Sequence, residues 1–302
     1  LNTKSKHLRS VLLAWLITFI WSTSWVFIRI GLREIPALTF SGLRYFIAFL
    51  CLFPFLFQKE NLQQVRAFTK NDWIKLTLFG LVIYTLAQGG QYLALAYLPS
   101  VTVSLLLNLA TLFVAFSGMV VLKEKPTWLQ WCGVAINLAG IVIYFFPADL
   151  KAASWLGFLF AAVSLAANIS GTIQGREINR SGKYNPMVVS IISMGIGSLL
   201  MLGAGLVTQG LPKISLTSWG IVLLLAIVNT AFAFTVWNYI QQTLTAMEAS
   251  VINSTMVVQV AILTWLFVGE TLTGREIIGL ILNLVGVLIV QINIVPRKST
   301  TQ

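Results

Sequence analysis

Residues Leu112–Ile143 read LFVAFSGMVVLKEKPTWLQWCGVAINLAGIVI, and residues Val257–Ile289 read VVQVAILTWLFVGETLTGREIIGLILNLVGVLI. A shift of 146 residues brings the two into register: Val114 falls on Val260, Ala115 on Ala261, Glu124 on Glu270, Thr127 on Thr273, Gly133 on Gly279, Asn137 on Asn283, Leu138 on Leu284, Gly140 on Gly286 and Ile143 on Ile289. Several of these residues are polar or glycine, so shared hydrophobicity does not account for the match. Each stretch is an apolar run, a short charged break and a second apolar run. The chain therefore reads as a duplication whose unit is built from membrane-length helices.

Composition extends this reading to the whole chain. Of 302 residues, 57% are apolar and 10% charged, against roughly a quarter charged in an ordinary soluble protein. That balance excludes a soluble enzyme, a disordered chain and a secreted disulfide scaffold. A β-barrel is disfavoured because its strands alternate apolar and polar residues, whereas these runs are apolar on all sides. Apolar runs near the roughly 20 residues that cross a bilayer as helix fall at 11–30, 37–57, 73–96, 100–121, 128–146, 154–175, 185–208, 217–240, 248–268 and 275–295. Pro36, Pro99, Pro126, Pro147, Pro186, Pro212 and Pro296 lie in or beside the breaks, where a missing N–H matters least. No proline interrupts a span at mid-depth, and nothing else in the pattern predicts an irregular helix there. The expectation is an all-α polytopic membrane protein, its ten transmembrane helices forming two inverted five-helix repeats at 1–147 and 148–302.

The net charge of +11 would suggest nucleic acid as a partner in a soluble domain; here it reports orientation, and no nucleic acid is expected. With the N-terminus cytoplasmic, the inner segments hold 14 of the 20 basic residues and the outer ends hold Arg29, Arg33, Lys151, Lys213 and Arg275, leaving Arg44 inside a span. Basic residues favour the cytoplasmic side, so both termini are expected there, in the cell inner (plasma) membrane. Because five is odd, the second copy enters the membrane from the opposite face. Such symmetry suits a molecule that exposes one site to either face in turn.

Polar side chains within spans mark the faces turned to the bundle interior. Trp21, Ser22, Trp25 and Arg29 share one stripe of the first span; Tyr84, Gln88 and Gln91 share one of the third; Ser104 and Asn108 lie on the fourth; Ser164 and Asn168 on the sixth; Asn229, Trp237 and Asn238 on the eighth; Asn253 on the ninth. Small residues on these stripes also serve close helix packing. Trp21, Trp25, Arg44, Gln88, Asn108, Asn168, Asn229 and Trp237 are the candidate substrate-binding residues. Arg44 either meets a carboxylate or phosphate of a solute or bridges to a carbonyl or to Glu34. Glu124 and Glu270 read as helix N-terminal carboxylates, where the helix dipole favours them.

The segments LLAWLITFIWSTSWVFIRIGLREIPALTFSGLRYFIAFL, QYLALAYLPSVTVSLLLNLATLFVAFSGMVVLKEKPTWLQWCGVAINLAGIVI and VGETLTGREIIGLILNLVGVLIV resemble the EamA branch of the drug/metabolite transporter superfamily over nearly the whole chain. The chain departs from that pattern where Thr111 and Val257–Val258 stand in place of proline in the fourth and ninth spans. The resemblance implies a secondary transporter that exports small metabolites, often amino acids or amphipathic compounds, by alternating access. The alternatives are a sugar-nucleotide or organophosphate exchanger of the same superfamily, or a non-transporting receptor or scaffold. An intramembrane enzyme would need a mid-span acid pair, a Ser with His or a metal cluster, yet the single histidine is His7 in the N-terminal tail. No catalytic residue, metal or cofactor is expected. The expected partners are a small-molecule substrate and the lipid bilayer, with the chain a monomer or homodimer. No titratable residue lies at mid-span, which predicts facilitated diffusion or exchange.

Overall fold

A computed structural model describes residues 3–98, 100–110, 113, 127–146, 154–268 and 273–292. Among them every regular element is helical. In chain order these are α1 (Thr3–Gly31), α2 (Ala37–Leu52, extended by a 3₁₀ turn Phe53–Phe57), the short α3 (Lys59–Arg66), α4 (Lys70–Tyr97), α5 (Ser100–Asn108) and α6 (Trp128–Phe145). There follow α7 (Trp155–Arg180), α8 (Pro186–Thr208), α9 (Leu216–Ile240), α10 (Ala246–Ser254), α11 (Met256–Val268) and α12 (Gly274–Ile292). Six helices, within α1, α2, α4, α7, α8 and α9, are long and apolar enough to cross a bilayer; Trp128–Tyr144 and Val251–Phe267 are shorter apolar helices. Thr111, Glu124 and Glu270 lie outside the described residues.

Local chemistry sets the helix starts. Pro36 precedes α2 and Pro186 opens α8, positions where no intrahelical N–H is lost. Thr69 with Asp72, Thr127 with Gln130 and Thr245 with Glu248 form reciprocal capping boxes at the starts of α4, α6 and α10. Along α1, Leu12, Leu16 and Phe19 are 61%, 47% and 51% exposed, while Thr18 and Ser22 are fully buried. The apolar side faces outward and the polar side inward, as a lipid solvent demands. The buried hydroxyls are satisfied locally: Thr18 donates to the Trp15 carbonyl at 2.8 Å and Ser22 to that of Phe19 at 2.7 Å.

Small residues set the close crossings. A Cβ on Gly140 of α6 would lie 2.6 Å from both the Gly279 carbonyl oxygen and the Asn283 nitrogen of α12. A Cβ on Gly286 would lie 2.5 Å from the Gly133 carbonyl oxygen and 2.6 Å from the Asn137 nitrogen. Gly140 and Gly286, Asn137 and Asn283, and Gly133 and Gly279 are each 146 residues apart, so the two contacts are the same contact made twice. Elsewhere α2 packs along α8 and α4 along α7 and α8, while α1 packs against α9, α10 and α11.

The helices contain irregularities that the hydropathy pattern does not predict. Leu81–Gln88 in α4 and Ile227–Phe232 in α9 are π-helical, and their first residues are 146 apart. The spans also tighten at Leu109 and Thr255, where the Leu109 N–H donates to Leu106 at 3.3 Å and that of Thr255 to Ile252 at 3.1 Å. No proline causes any of these. In α9 the Thr230 hydroxyl donates 2.8 Å to the Leu225 carbonyl five residues back, so a side chain stands in for part of the backbone ladder. π-turns of this kind widen a helix and free carbonyls for outside donors.

Candidate functional site

The inward faces enclose a cavity of about 160 Å³ near the centre of the bundle. α1 contributes Trp21, Ser24, Trp25 and Ile28; α2 contributes Arg44 and Tyr45; α4 supplies Phe79, Ile83, Tyr84, Gln88 and Gln91. The fourth span adds Ser104, Leu107 and Asn108, and α7 adds Asn168, Gly171 and Thr172. Phe234, Trp237, Asn238 and Gln241 of α9 and Ala249, Asn253 and Ser254 of α10 complete the wall with Met256 of α11. Arg44 is the one charged side chain among these lining residues.

Seven of the eight candidate residues meet on this wall: Trp21, Trp25, Arg44, Gln88, Asn108, Asn168 and Trp237. Asn229 does not; it stands behind the wall as a brace. Its side-chain nitrogen donates to the Ile20 carbonyl and, at 3.2 Å, to the Thr23 hydroxyl. Its carbonyl oxygen, within the π-turn of α9, accepts from Trp21 Nε1 at 2.9 Å and from Arg44 Nη2 at 3.3 Å. Asn108 and Asn168 each spend their side-chain nitrogen on their own helix, at the carbonyls of Ser104 (2.8 Å) and Ser164 (2.9 Å). That leaves Asn108 Oδ1 without a hydrogen-bond donor among the described residues.

Arg44 neither turns outward to solvent nor meets Glu34. It is 3% exposed, and its Nε donates to Thr230 Oγ1 at 2.6 Å, its Nη1 to the Tyr92 hydroxyl at 2.9 Å and its Nη2 to the Asn229 carbonyl. One guanidinium thus joins α2, α4 and the π-turn of α9. Its carbon lies 5.2 Å from the Tyr45 ring centroid, within cation–π range. Tyr45, Tyr84 and Phe234 form an aromatic wall with ring centroids 5.3–5.8 Å apart, and Phe234 continues to Trp21 at 5.1 Å. Trp21 is among the eight candidates; Tyr45, Tyr84, Phe234, Tyr92 and Thr230 are not, although Tyr84 shares the inward stripe of Gln88 and Gln91. The repeat held the missing signal: positions 44 and 92 fall on Ser190 and Asn238, and Asn238 Nδ2 donates to Ser190 Oγ at 2.8 Å.

Glu34, free of Arg44, clasps the start of α9: its carboxylate accepts from the Ser215 N–H at 2.7 Å, the Ser215 hydroxyl at 2.8 Å and the Ser218 hydroxyl. At the opposite end of the bundle Asp72, at the start of α4, accepts from Lys183 Nζ and the Tyr184 hydroxyl, each at 2.5 Å. Thr69 and Asp72 are 146 residues before Ser215 and Ser218. Each clasp therefore ties the start of a π-bearing helix to a loop of the other half of the chain.

A family model for EamA-like transporters matches residues 8–146 and, a second time, residues 153–292. The chain belongs to the EamA-like transporter family. It is therefore a multi-pass membrane protein of a transporter family rather than an enzyme. It is 27% identical to the uncharacterized transporter YoaV of Bacillus subtilis, with 90% of this chain and 92% of that one covered. It is 25% identical to a protein of Salmonella typhimurium named as a probable amino-acid metabolite efflux pump, covering 92% and 93% of the two chains. The uncharacterized inner membrane transporter YedA of Escherichia coli is 26% identical over 86% of this chain and 83% of its own. A solved structure described as the crystal structure of a protein has the same fold, with a TM-score of 0.77 over 94% of this chain and 96% of that one at 15% identity.

Proposed function

We propose that this protein is a secondary transporter exporting small metabolites, amino acids or amphipathic compounds, by alternating access across ten helices in two inverted repeats, 1–147 and 148–302, with both termini cytoplasmic. One observation carries the reading: the cavity wall is built from both halves, and both halves depart from regular α-helix at matching positions. The π-turns begin 146 residues apart, the tight turns fall at Leu109 and Thr255, and the Gly140 and Gly286 crossings repeat each other. A pair of related half-channels that flex at equivalent points can exchange roles, closing one end while opening the other.

Flat aromatic surfaces with a few amides suit an amphipathic solute. The relatives named as amino-acid metabolite efflux pumps, in Salmonella typhimurium and Escherichia coli, support the substrate class. A cavity of about 160 Å³ with one cation is a poor match to a sugar nucleotide, whose phosphates call for several. The test is counterflow in proteoliposomes, with a panel of labelled amino acids and amphipathic metabolites. Saturable exchange of at least one supports the assignment; no flux across the panel from correctly folded protein overturns it.

A further inference from the structure

We infer that Arg44 is the docking point for a solute carboxylate, which makes the substrate a small molecule with one carboxylate and a compact apolar body. The inference rests on the transporter reading for its cavity and deepens it by naming the recognised group. A guanidinium has five N–H donors. The hydrogen bonds to Thr230, Tyr92 and the Asn229 carbonyl use three of them, one each from Nε, Nη1 and Nη2. One N–H on each terminal nitrogen is left without a protein acceptor among the described residues. A free N–H on each terminal nitrogen gives the two oxygens of a carboxylate a donor apiece, the bidentate mode in which a guanidinium binds a carboxylate.

Electrostatics points the same way. Arg44 is buried and its three partners are neutral, and no acidic side chain is on the cavity wall among the described residues. A buried charge held only by neutral groups is under-compensated, and an arriving anion supplies what is missing. The mate of this position in the second half is the neutral Ser190–Asn238 pair, so the cavity has one cationic pole and not two. That favours a monocarboxylate over a dicarboxylate, and over a phosphate ester carrying about two charges. The space sets the size: about 160 Å³ is close to the roughly 150 Å³ that admits a benzene ring in an engineered protein cavity.

The experiment measures binding to the purified full-length protein in detergent, by thermal shift and by quenching of tryptophan fluorescence. The probes are butyrate, phenylacetate and L-phenylalanine, each against its carboxamide, with phenyl phosphate as a further arm. The acids are expected to bind at least about tenfold more tightly than the amides, and phenylacetate more tightly than phenyl phosphate. Arg44→Lys, which keeps the charge but loses the fork, should weaken the acids, and Arg44→Gln should erase the preference for acid over amide. The parent protein alone can overturn the inference, whether or not the variants fold: amides binding as well as acids, phenyl phosphate binding more tightly than phenylacetate, or none of the acids binding would each do so. Counterflow separates the two readings. Flux of amides that survives Arg44→Gln would leave the transporter assignment standing and remove the carboxylate site, whereas acid binding without any flux would do the reverse.

Discussion

Arg44 Nη1 donates to the Tyr92 hydroxyl at 2.9 Å, and 146 residues further on the same two positions, Ser190 and Asn238, are joined by a hydrogen bond of 2.8 Å. The link between the second and third spans of each half is thus kept while its chemistry changes from charged to neutral.

The two asparagines of the site should fail differently. Among the described residues Asn108 bonds only to its own helix, so Asn108→Leu is expected to cut solute flux at least about tenfold while the protein keeps its thermal midpoint. Asn229 braces α9 against α1 through Ile20 and Thr23 and offers its carbonyl to Trp21 and Arg44. Asn229→Leu should lower stability by about 1 kcal/mol as well, seen as a lower unfolding temperature in detergent. Equal stability of the two variants would contradict the assignment of Asn229 as a brace.

Gly140→Ala and Gly286→Ala should destabilise by similar amounts, about 1–3 kcal/mol each, because each places a methyl group against facing backbone in a close-packed crossing. Gly203→Ala, where a Cβ meets nothing within 4 Å, is the neutral control. Parallel thermal unfolding of the three variants measures this, and a large loss in one of the first two with none in the other would break the equivalence of the two contacts.

The Glu34 clasp predicts a pH dependence. Hydrogen bonds from the Ser218 and Ser215 side chains and the Ser215 N–H hold the Glu34 carboxyl below its ordinary value. Its folded pKa lies under its unfolded one, so its stabilising contribution is complete above the unfolded value of about 4.3 and is lost as pH falls through the folded value. The parent should exceed Glu34→Gln in unfolding temperature at neutral pH, and the gap should close as the pH falls below about 4. A gap that stays constant with pH would show that the carboxylate charge is not what holds the clasp.

Much of this was legible in the sequence, for identifiable reasons. The positions of the six long apolar helices follow from hydropathy, because a lipid solvent leaves helices few alternatives. The interior faces follow from the spacing of Trp21, Gln88, Asn108 and Asn168, since polar groups are expelled from lipid. Asn229, expected on the cavity wall, stands behind it, because spacing gives a residue's face of the helix but not which layer of the interior it reaches. The π-turns of α4 and α9 carry no proline to mark them, and the Arg44 that donates into the α9 turn comes from a distant span. The three partners of Arg44 lie 48, 185 and 186 residues away, beyond any local pattern.

The most direct test of a cavity offered to each face in turn is single-cysteine accessibility at Asn168 on the cavity wall, in a background with Cys51 and Cys132 replaced by alanine. A membrane-impermeant thiol reagent is applied to right-side-out and to inverted vesicles, with cysteines at Thr69 and Lys213 as reporters of the faces proposed to be cytoplasmic and external. The account predicts that Thr69→Cys reacts only in inverted vesicles, Lys213→Cys only in right-side-out vesicles, and Asn168→Cys in both. Labelling of Asn168→Cys from one face alone under every solute gradient, or from neither face although the denatured protein reacts, would contradict it.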